Sequence, residues 1–238
     1  MPGFINVPYN DLEAIKNAYT TNKTCAVLLE PVQGEGGVNV PSENYLKSVM
    51  DFCREKNILF MLDEVQTGMG RLGTLFGYQR FDGVEPDVMT LGKALGAGAP
   101  LGAFASKDFC SVLEPGDHGS TFGGNALSTA AGAAAAKFIV DNDVPALAST
   151  GGAYLTAKLT QLAEKYSFIS DIRGLGLLIG IEMTKEIAAP TVQECLGNGL
   201  LINAVRPNML RFMPPLNVTE KEIDEAIQIL DTSLANTS

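Results

Sequence analysis

Ile58-Leu59-Phe60-Met61-Leu62-Asp63-Glu64 carries the strongest structural signal in the chain, because five apolar residues in a row end in two acids. An apolar run without polar alternation predicts a strand that is buried on both faces of a parallel sheet. Similar runs at Cys25–Leu29, Val88–Leu91 and Leu101–Ala105 predict three further strands. A helix capped at Ser42 is predicted between the first two strands. Strands that alternate with helices indicate an α/β protein with a mostly parallel sheet.

The C-terminal part of the chain has a different pattern. Ile172–Met183 predicts extended structure interrupted by glycines, and the short apolar runs Leu200–Ile202 and Met209–Phe212 predict two more strands. Thr219 followed by Glu222 has the spacing of a capping box at the start of a final helix. Short strands mixed with helices predict a small α+β domain.

A domain boundary is predicted inside the long helical region that separates these two patterns. Asn125–Val140 and Leu147–Tyr166 are both long enough for helices. We place the boundary near residue 145, so that residues 1–145 form a large domain and residues 146–238 a small one.

Composition excludes several classes of protein. The chain has 238 residues, of which 46% are hydrophobic, so it has enough apolar material for a core. Its 17 basic and 27 acidic residues give a net charge of −10, which argues against a nucleic-acid partner. No apolar run is long enough to predict a membrane span. Four widely spaced cysteines and one histidine predict reduced thiols in a cytoplasmic protein and no metal site.

Two motif matches are rejected because their structural context is missing. An acidic strand end also occurs in P-loop ATPases, but these need a GxxxxGK[ST] loop, and here Gly92-Lys93 is followed by Ala94. Gly68–Gly73 is a literal GxGxxG, but five residues separate it from the predicted strand and no helical pattern follows. Neither ATP hydrolysis nor nicotinamide binding is therefore expected.

The remaining chemical signal is a pair of side chains, Asp63 and Lys93, that follow two predicted strands. Ligands collect beyond the carboxyl ends of parallel strands, so both side chains are expected to face one cleft. A desolvated lysine is a competent nucleophile towards an aldehyde, and an acid facing a pyridine nitrogen keeps that nitrogen protonated. On spacing alone, however, a surface lysine and a helix-capping aspartate explain the pattern better.

Seven blocks of sequence extend this pattern along most of the chain: Glu30–Gly37, Leu62–Gly73, Glu85–Asp87, Leu91–Lys93, His118–Asn125, Asn203–Asn208 and Leu210–Leu216. Together they resemble the class III pyridoxal-phosphate-dependent aminotransferases. The resemblance implies a fold type I transferase in which a partial large domain with a mostly parallel sheet precedes a small α+β domain. It also implies pyridoxal 5'-phosphate as cofactor, and a homodimer whose site is shared between subunits.

The resemblance further implies a role for each side chain near the cofactor ring. Lys93 binds the cofactor aldehyde covalently and then moves the substrate proton. Asp63 pairs with the pyridinium nitrogen, and Gln66 donates a hydrogen bond to the phenolic oxygen. Val65 packs on the ring face, where an apolar side chain does not compete for the aldehyde.

Four further residues are implied in phosphate and substrate binding. Ser120 and Thr121 donate hydroxyls to the cofactor phosphate of the partner subunit, although Thr121 also fits the start of a turn. Arg211 binds the α-carboxylate of glutamate or 2-oxoglutarate, and Arg206 is the alternative ligand. Glu35 neutralises Arg211 when a basic substrate is bound, or is an ordinary solvated acid.

The likeness is strongest to the members of the family that act on N-acetylornithine. It implies transfer of the terminal amine of N-acetylornithine to 2-oxoglutarate, giving N-acetylglutamate semialdehyde and glutamate, in arginine biosynthesis. Ornithine, succinylornithine, 4-aminobutyrate and lysine-pathway substrates remain alternatives. Because family members carry further N-terminal sequence, the chain is expected to be a fragment, an alternative start or half of a split enzyme. A catalytically silent piece that keeps only dimerisation surfaces is the other hypothesis.

Overall fold

The computed structural model describes residues 1–238, which form two compact units. The first unit contains residues 1–31, 41–68 and 78–137, and the second contains residues 32–40, 69–77 and 138–238. The two units therefore alternate along the chain. The single boundary near residue 145 stays a prediction.

The first unit contains a four-stranded sheet in the order β1-β2-β3-β4. Its strands are β1 (Ala26–Leu29), β2 (Leu59–Asp63), β3 (Val88–Leu91) and β4 (Ala103–Ser106). Strands β1, β2 and β3 are parallel, and β4 is antiparallel to β3. The predicted mostly parallel sheet is confirmed.

Helices α1 (Leu12–Ala18) and α2 (Tyr45–Lys56) belong to this unit. The Asp11 side chain caps α1 by accepting the Ala14 N–H at 2.9 Å. The predicted cap at Ser42 is wrong, because α2 begins after Asn44 and the Ser42 hydroxyl donates to Asn10 instead. A third helix, α3 (Ala126–Asp141), begins in this unit.

The core of the first unit lies on one face of the sheet. The side chains that build it are buried together: Ile15, Leu46, Val49, Phe60 and Leu62. The opposite face carries Leu28 and Phe104, which are 52% and 54% exposed. The prediction of a sheet covered on both faces is wrong for this chain, because α1 and α2 pack on the same side.

The second unit contains an antiparallel sheet in the order β5-β6-β8-β7. Its strands are β5 (Ile169–Leu175), β6 (Leu178–Met183), β7 (Asn203–Arg206) and β8 (Met209–Phe212). The strand predicted at residues 200–202 is wrong. The Leu200 N–H instead bonds the Cys195 carbonyl and closes the end of a helix, so the strand begins three residues later.

Three helices complete the second unit: α4 (Val144–Lys165), α5 (Ala188–Gly197) and α6 (Glu220–Thr237). They bury a continuous core against the sheet, with Leu155, Leu159, Ile179, Ile181, Leu210, Ile223 and Leu230 inside it. The combination of helices and an antiparallel sheet confirms the predicted α+β character. None of the helices in the chain combines the length and the apolar content that a membrane crossing requires.

Helix α6 begins with the predicted capping box. The Thr219 hydroxyl accepts the Glu222 N–H, and the Glu222 carboxylate accepts the Thr219 N–H at 2.8 Å. The Glu222 carboxylate also accepts the Thr219 hydroxyl at 2.8 Å, and the two hydrogen bonds that it accepts from Thr219 hold the pKa of the Glu222 carboxyl below its ordinary value. The box therefore satisfies two backbone donors that a helix start otherwise leaves to solvent.

The substitution Thr219→Ala is expected to lower the free energy of unfolding by about 0.5–2 kcal/mol, because it removes the cap of α6. Urea unfolding followed by circular dichroism measures the change. Thr232→Ala is the matched control, since Thr232 is an exposed residue of the same helix that bonds only its own preceding turn. Equal losses from the two variants would contradict the capping role.

Candidate active site

Asp63 ends strand β2 and lies directly opposite Thr90 on β3. Its Oδ1 atom accepts two hydrogen bonds, from the Val65 N–H at 2.9 Å and from the Thr90 hydroxyl at 3.0 Å. Both bonds end on the same oxygen, so Oδ2 is left to accept a third donor. No helix begins at Asp63, so a helix-capping role for it is wrong.

Lys93 follows β3 by two residues and opens a short 3₁₀ turn, Lys93–Gly96. Its φ of +47° lies in the left-handed region, which few residues other than glycine adopt. Such strain marks a backbone that its surroundings fix, and it concentrates at functional sites. Lys93 is exposed, as expected for the alternative of a surface lysine, and its covalent role stays a prediction.

Val65 connects the two strand ends. A Cβ placed on Gly92 would lie 3.3 Å from Val65 Cγ1, so the Val65 side chain packs directly on the Gly92 backbone. Gly92 immediately precedes Lys93, and the Val65 N–H bonds Asp63. The structure therefore brings Asp63, Val65 and the backbone of Lys93 together at the carboxyl edge of parallel strands.

A tight turn after β2 carries Gln66 and Thr67, both of which are buried. The Gly68 N–H donates to the Glu64 carbonyl at 2.9 Å, and the Glu64 N–H donates to the Thr90 carbonyl at 3.0 Å. These bonds fix the backbone of the turn on which Gln66 lies, three residues after Asp63. Sequence reasoning missed Glu64, although an acid next to the strand-end aspartate was a visible signal.

Ser120 and Thr121 lie on a long exposed segment between β4 and α3. The Ser120 hydroxyl accepts the Gly123 N–H at 2.9 Å and closes a local turn. No hydrogen bond joins either residue to the group around Asp63. The role of Ser120 and Thr121 in binding the cofactor phosphate therefore stays a prediction.

In the second unit, Arg211 on β8 forms an ion pair with Glu35. Arg211 Nη1 lies 2.8 Å from Glu35 Oε1, and Arg211 Nε donates to Asn203 Oδ1 at 3.3 Å. The Arg211 side chain is only 8% exposed, whereas Glu35 is 70% exposed. Glu35 is thus a solvated acid that is also paired with Arg211, and its role in neutralising this arginine stays a prediction. The alternative carboxylate ligand, Arg206, is exposed and donates to the Gly36 carbonyl.

Arg71 is a half-buried side chain whose contacts with the segment after Arg211 the sequence did not reveal. Its Nη1 atom donates to the Pro214 carbonyl at 2.7 Å and to the Leu177 carbonyl at 3.0 Å. Burial lowers the pKa of the Arg71 guanidinium to about 10. Arg71 therefore fixes the segment that follows Arg211, within the same unit.

The chemistry available in the chain is that of an amine, carboxylates and guanidinium groups. No group of three or more His, Cys, Asp or Glu side chains is placed to hold a metal ion. A carboxylate with one oxygen left for a donor, an apolar side chain beside it and a primary amine suit a protonated pyridine ring that carries an aldehyde. The arginine in the second unit suits a carboxylate.

Comparisons of the sequence and of the structure with known proteins both match aminotransferases. A family model for class III aminotransferases matches residues 2–234. Acetylornithine aminotransferase of Caldanaerobacter subterraneus subsp. tengcongensis is 48% identical over 235 residues, which cover 99% of this chain and 59% of that protein.

Solved structures agree with this match. Ornithine delta-aminotransferase of Plasmodium falciparum has a TM-score of 0.92 at 38% identity, covering 99% of this chain and 61% of that one. Ornithine aminotransferase of Toxoplasma gondii, in a structure described as showing partial occupancy of PLP at the active site, has a TM-score of 0.91 at 36% identity. That match covers 100% of this chain and 57% of the parasite protein.

The chain thus spans 57% to 61% of the length of these relatives. Over that length the agreement is continuous, and it confirms the predicted fold class. The match to the family and the identity to its members together establish that this chain belongs to the class III aminotransferases.

Proposed function

We propose that this chain is the lysine-bearing part of a pyridoxal-phosphate-dependent transaminase. In the proposed reaction, the terminal amine of N-acetylornithine passes to 2-oxoglutarate, giving N-acetylglutamate semialdehyde and glutamate in arginine biosynthesis. The observation that carries the proposal is the meeting of Asp63, Val65 and Lys93 at one sheet edge. The likeness to a bacterial acetylornithine aminotransferase supports the choice of substrate.

The residues at this edge fit the cofactor. Asp63 has one oxygen held by two donors and a second oxygen for the ring N–H. Val65 offers an apolar surface for the ring face, and Gln66 an amide for the phenolic oxygen. When bound, pyridoxal phosphate supplies an electron-poor ring that takes up the electron pair of a breaking Cα–H bond.

Lys93 has two tasks in this proposal. Its Nζ atom would hold the cofactor through its aldehyde carbon, with loss of water. Once a substrate amine has taken that place, the free Nζ would accept the proton from the substrate Cα and deliver it to the cofactor carbon. The Lys93 backbone lies in the left-handed region directly after β3, which sets where its side chain starts.

Arg211 and Glu35 are proposed to sort the two substrates by charge. The Arg211 guanidinium binds the α-carboxylate of glutamate or 2-oxoglutarate through two parallel hydrogen bonds. While N-acetylornithine is bound, Glu35 stays paired with Arg211 and neutralises it. One site then accepts a terminal amine and an α-amino acid in turn.

A second copy of the chain is proposed to cover the exposed segment that carries Ser120 and Thr121. Two apolar side chains of this segment and one at the start of α3 are largely in solvent: Phe109 is 68% exposed, and Phe122 and Leu127 are each 81% exposed. Exposed apolar patches of this kind mark protein interfaces. In the homodimer, the two hydroxyls would donate to the cofactor phosphate of the partner subunit.

Other partners are not part of the proposal. A net charge of −10 opposes binding to nucleic acid. Apart from the second copy of the chain, the proposed partners are the small-molecule substrates. Four free thiols suit a reducing compartment, which supports a cytoplasmic location.

Two alternatives are tested beside this proposal. The structural likeness to ornithine aminotransferases favours ornithine as the amine donor. The other alternative is a catalytically silent chain that keeps only dimerisation surfaces. Comparing turnover of N-acetylornithine with that of ornithine decides the first alternative. A dimer in sedimentation that takes up no cofactor would support the second.

The substitution Lys93→Ala is expected to abolish the adduct that borohydride traps after addition of pyridoxal phosphate, because Lys93 is the only lysine in the segment between β3 and β4. Peptide mass mapping of the reduced chain locates the adduct. Lys107→Ala is the control, since Lys107 lies in the same unit in surface ion pairs. An adduct that persists in the Lys93 variant rejects the mechanism.

The substitution Asp63→Asn is expected to slow amine transfer by about 10²–10³-fold, because the ring nitrogen loses its negative partner. The Asn oxygen still accepts the two hydrogen bonds made by Asp63, so the fold is expected to persist. Single-turnover kinetics at saturating cofactor measures the rate. Asp82→Asn, at an exposed site in the same unit, is the control. Equal rates for the wild type and the Asp63 variant would remove this carboxylate from the mechanism.

The substitution Arg211→Lys is expected to raise the KM for 2-oxoglutarate by about 10- to 100-fold, because lysine cannot form the paired hydrogen bonds of a guanidinium. The KM for N-acetylornithine is expected to change less. Arg206→Lys is the matched control at the alternative position. A larger effect from the Arg206 variant would transfer the substrate role to that residue.

A further inference from the structure

Glu64 is a buried acid with no part in the chemistry described above. It follows Asp63 directly, and only 1% of the residue is exposed. Its Oε2 atom accepts the Thr67 hydroxyl at 2.5 Å, and its Oε1 atom accepts the Tyr78 N–H at 2.7 Å. Burying a carboxylate is unfavourable unless hydrogen bonds compensate for the lost water. The role of the Glu64 side chain therefore depends on Thr67 and Tyr78, the residues that donate hydrogen bonds to its oxygens.

Those groups control the turn that follows β2. Thr67 lies on the turn itself, and Tyr78 lies 14 residues along the chain from Glu64. The backbone of Glu64 is also anchored, because its N–H donates to the Thr90 carbonyl and its carbonyl accepts the Gly68 N–H. Glu64 thus joins the turn to β3 through its backbone and to Tyr78 through its side chain.

The same turn sets the direction of the Asp63 carboxylate. The Val65 N–H, one residue beyond Glu64, donates to Asp63 Oδ1 at 2.9 Å. The Val65 side chain packs on Gly92, next to Lys93. A change in the turn would therefore displace Val65, and with it both the N–H that donates to Asp63 and the side chain that packs on Gly92.

We infer that Glu64 is a positioning residue, whose buried carboxylate holds Thr67 and Tyr78 so that the Val65 amide aims Asp63. What Asp63 then does rests on the proposed function. The positioning itself is a property of this chain without any cofactor. The two are tested by separate measurements.

The first measurement is residue-resolved amide hydrogen exchange on the full chain without cofactor. In the Glu64→Ala variant, exchange at the Val65 and Tyr78 amides is expected to accelerate by about 10- to 100-fold relative to the Phe60 amide of β2. Glu64→Gln keeps an acceptor for Tyr78 and is expected to restore most of the protection. Val49→Ala, a buried change in α2, is the destabilising control and is expected to leave the ratio unchanged.

The second measurement is a double-mutant cycle on the rate of amine transfer, with Glu64→Ala combined with Asp63→Asn. If Glu64 acts through Asp63, its removal slows the wild type by about tenfold and has little further effect once Asp63 is changed. A purely structural role gives additive losses. The Glu64→Gln variant is expected to recover the rate along with the exchange protection.

The outcomes separate the two ideas. Unchanged exchange at Val65 and Tyr78, acceleration that is equal at Phe60, or additive rate losses would each overturn the positioning role. If the unmodified chain forms no borohydride-trapped adduct at Lys93, the proposed function fails instead. The exchange ratio still decides the positioning role in that case.

Discussion

The parallel pairing of β2 with β3 is the constraint on which the candidate site depends. Buried backbone groups must be paired, so the ladder fixes the register of Asp63 opposite Thr90. Because side chains alternate between faces, a slip of one residue would move Asp63 to the face where Leu62 is buried. The correct register instead places the acid on the less covered face, beside the Thr90 hydroxyl. The same pairing ends both strands at one edge, which is why Lys93 follows within a few residues.

How much of this could be predicted depends on how local each interaction is. Strand β2 and the capping box at Thr219 follow from neighbouring residues, and both were predicted. The ion pair of Arg211 with Glu35 joins residues 176 positions apart, and the contact of Glu64 with Tyr78 joins residues 14 positions apart. Spacing and periodicity carry no information about such contacts. The first was available only through resemblance to a family, and the second was not found.

The errors made from sequence have the same origin. Ser42 has the composition of a helix cap, but its hydroxyl bonds Asn10, 32 residues away. The apolar run at residues 200–202 has strand character, but the Leu200 N–H is used to close a helix. In each case a tertiary contact or the local packing overrides a local preference.

The unequal burial of Arg211 and Glu35 indicates which partner moves when a substrate competes for the pair. Arg211 is held on β8 and bonded to Asn203, whereas Glu35 lies on a loop closed by the Gln33–Asn39 bridge and is 70% exposed. Water and salt screen the exposed Glu35 carboxylate, so this end of the ion pair is the easier one to displace. A carboxylate ligand that forms two parallel hydrogen bonds with the guanidinium replaces the partner that the buried arginine loses. Displacing Glu35 is therefore favourable for an acidic substrate, while an uncharged end of another substrate leaves the pair intact. In the proposed reaction, the selectivity between the two substrates then comes from the exchange of one carboxylate partner of Arg211 for another, with the buried arginine fixed in place.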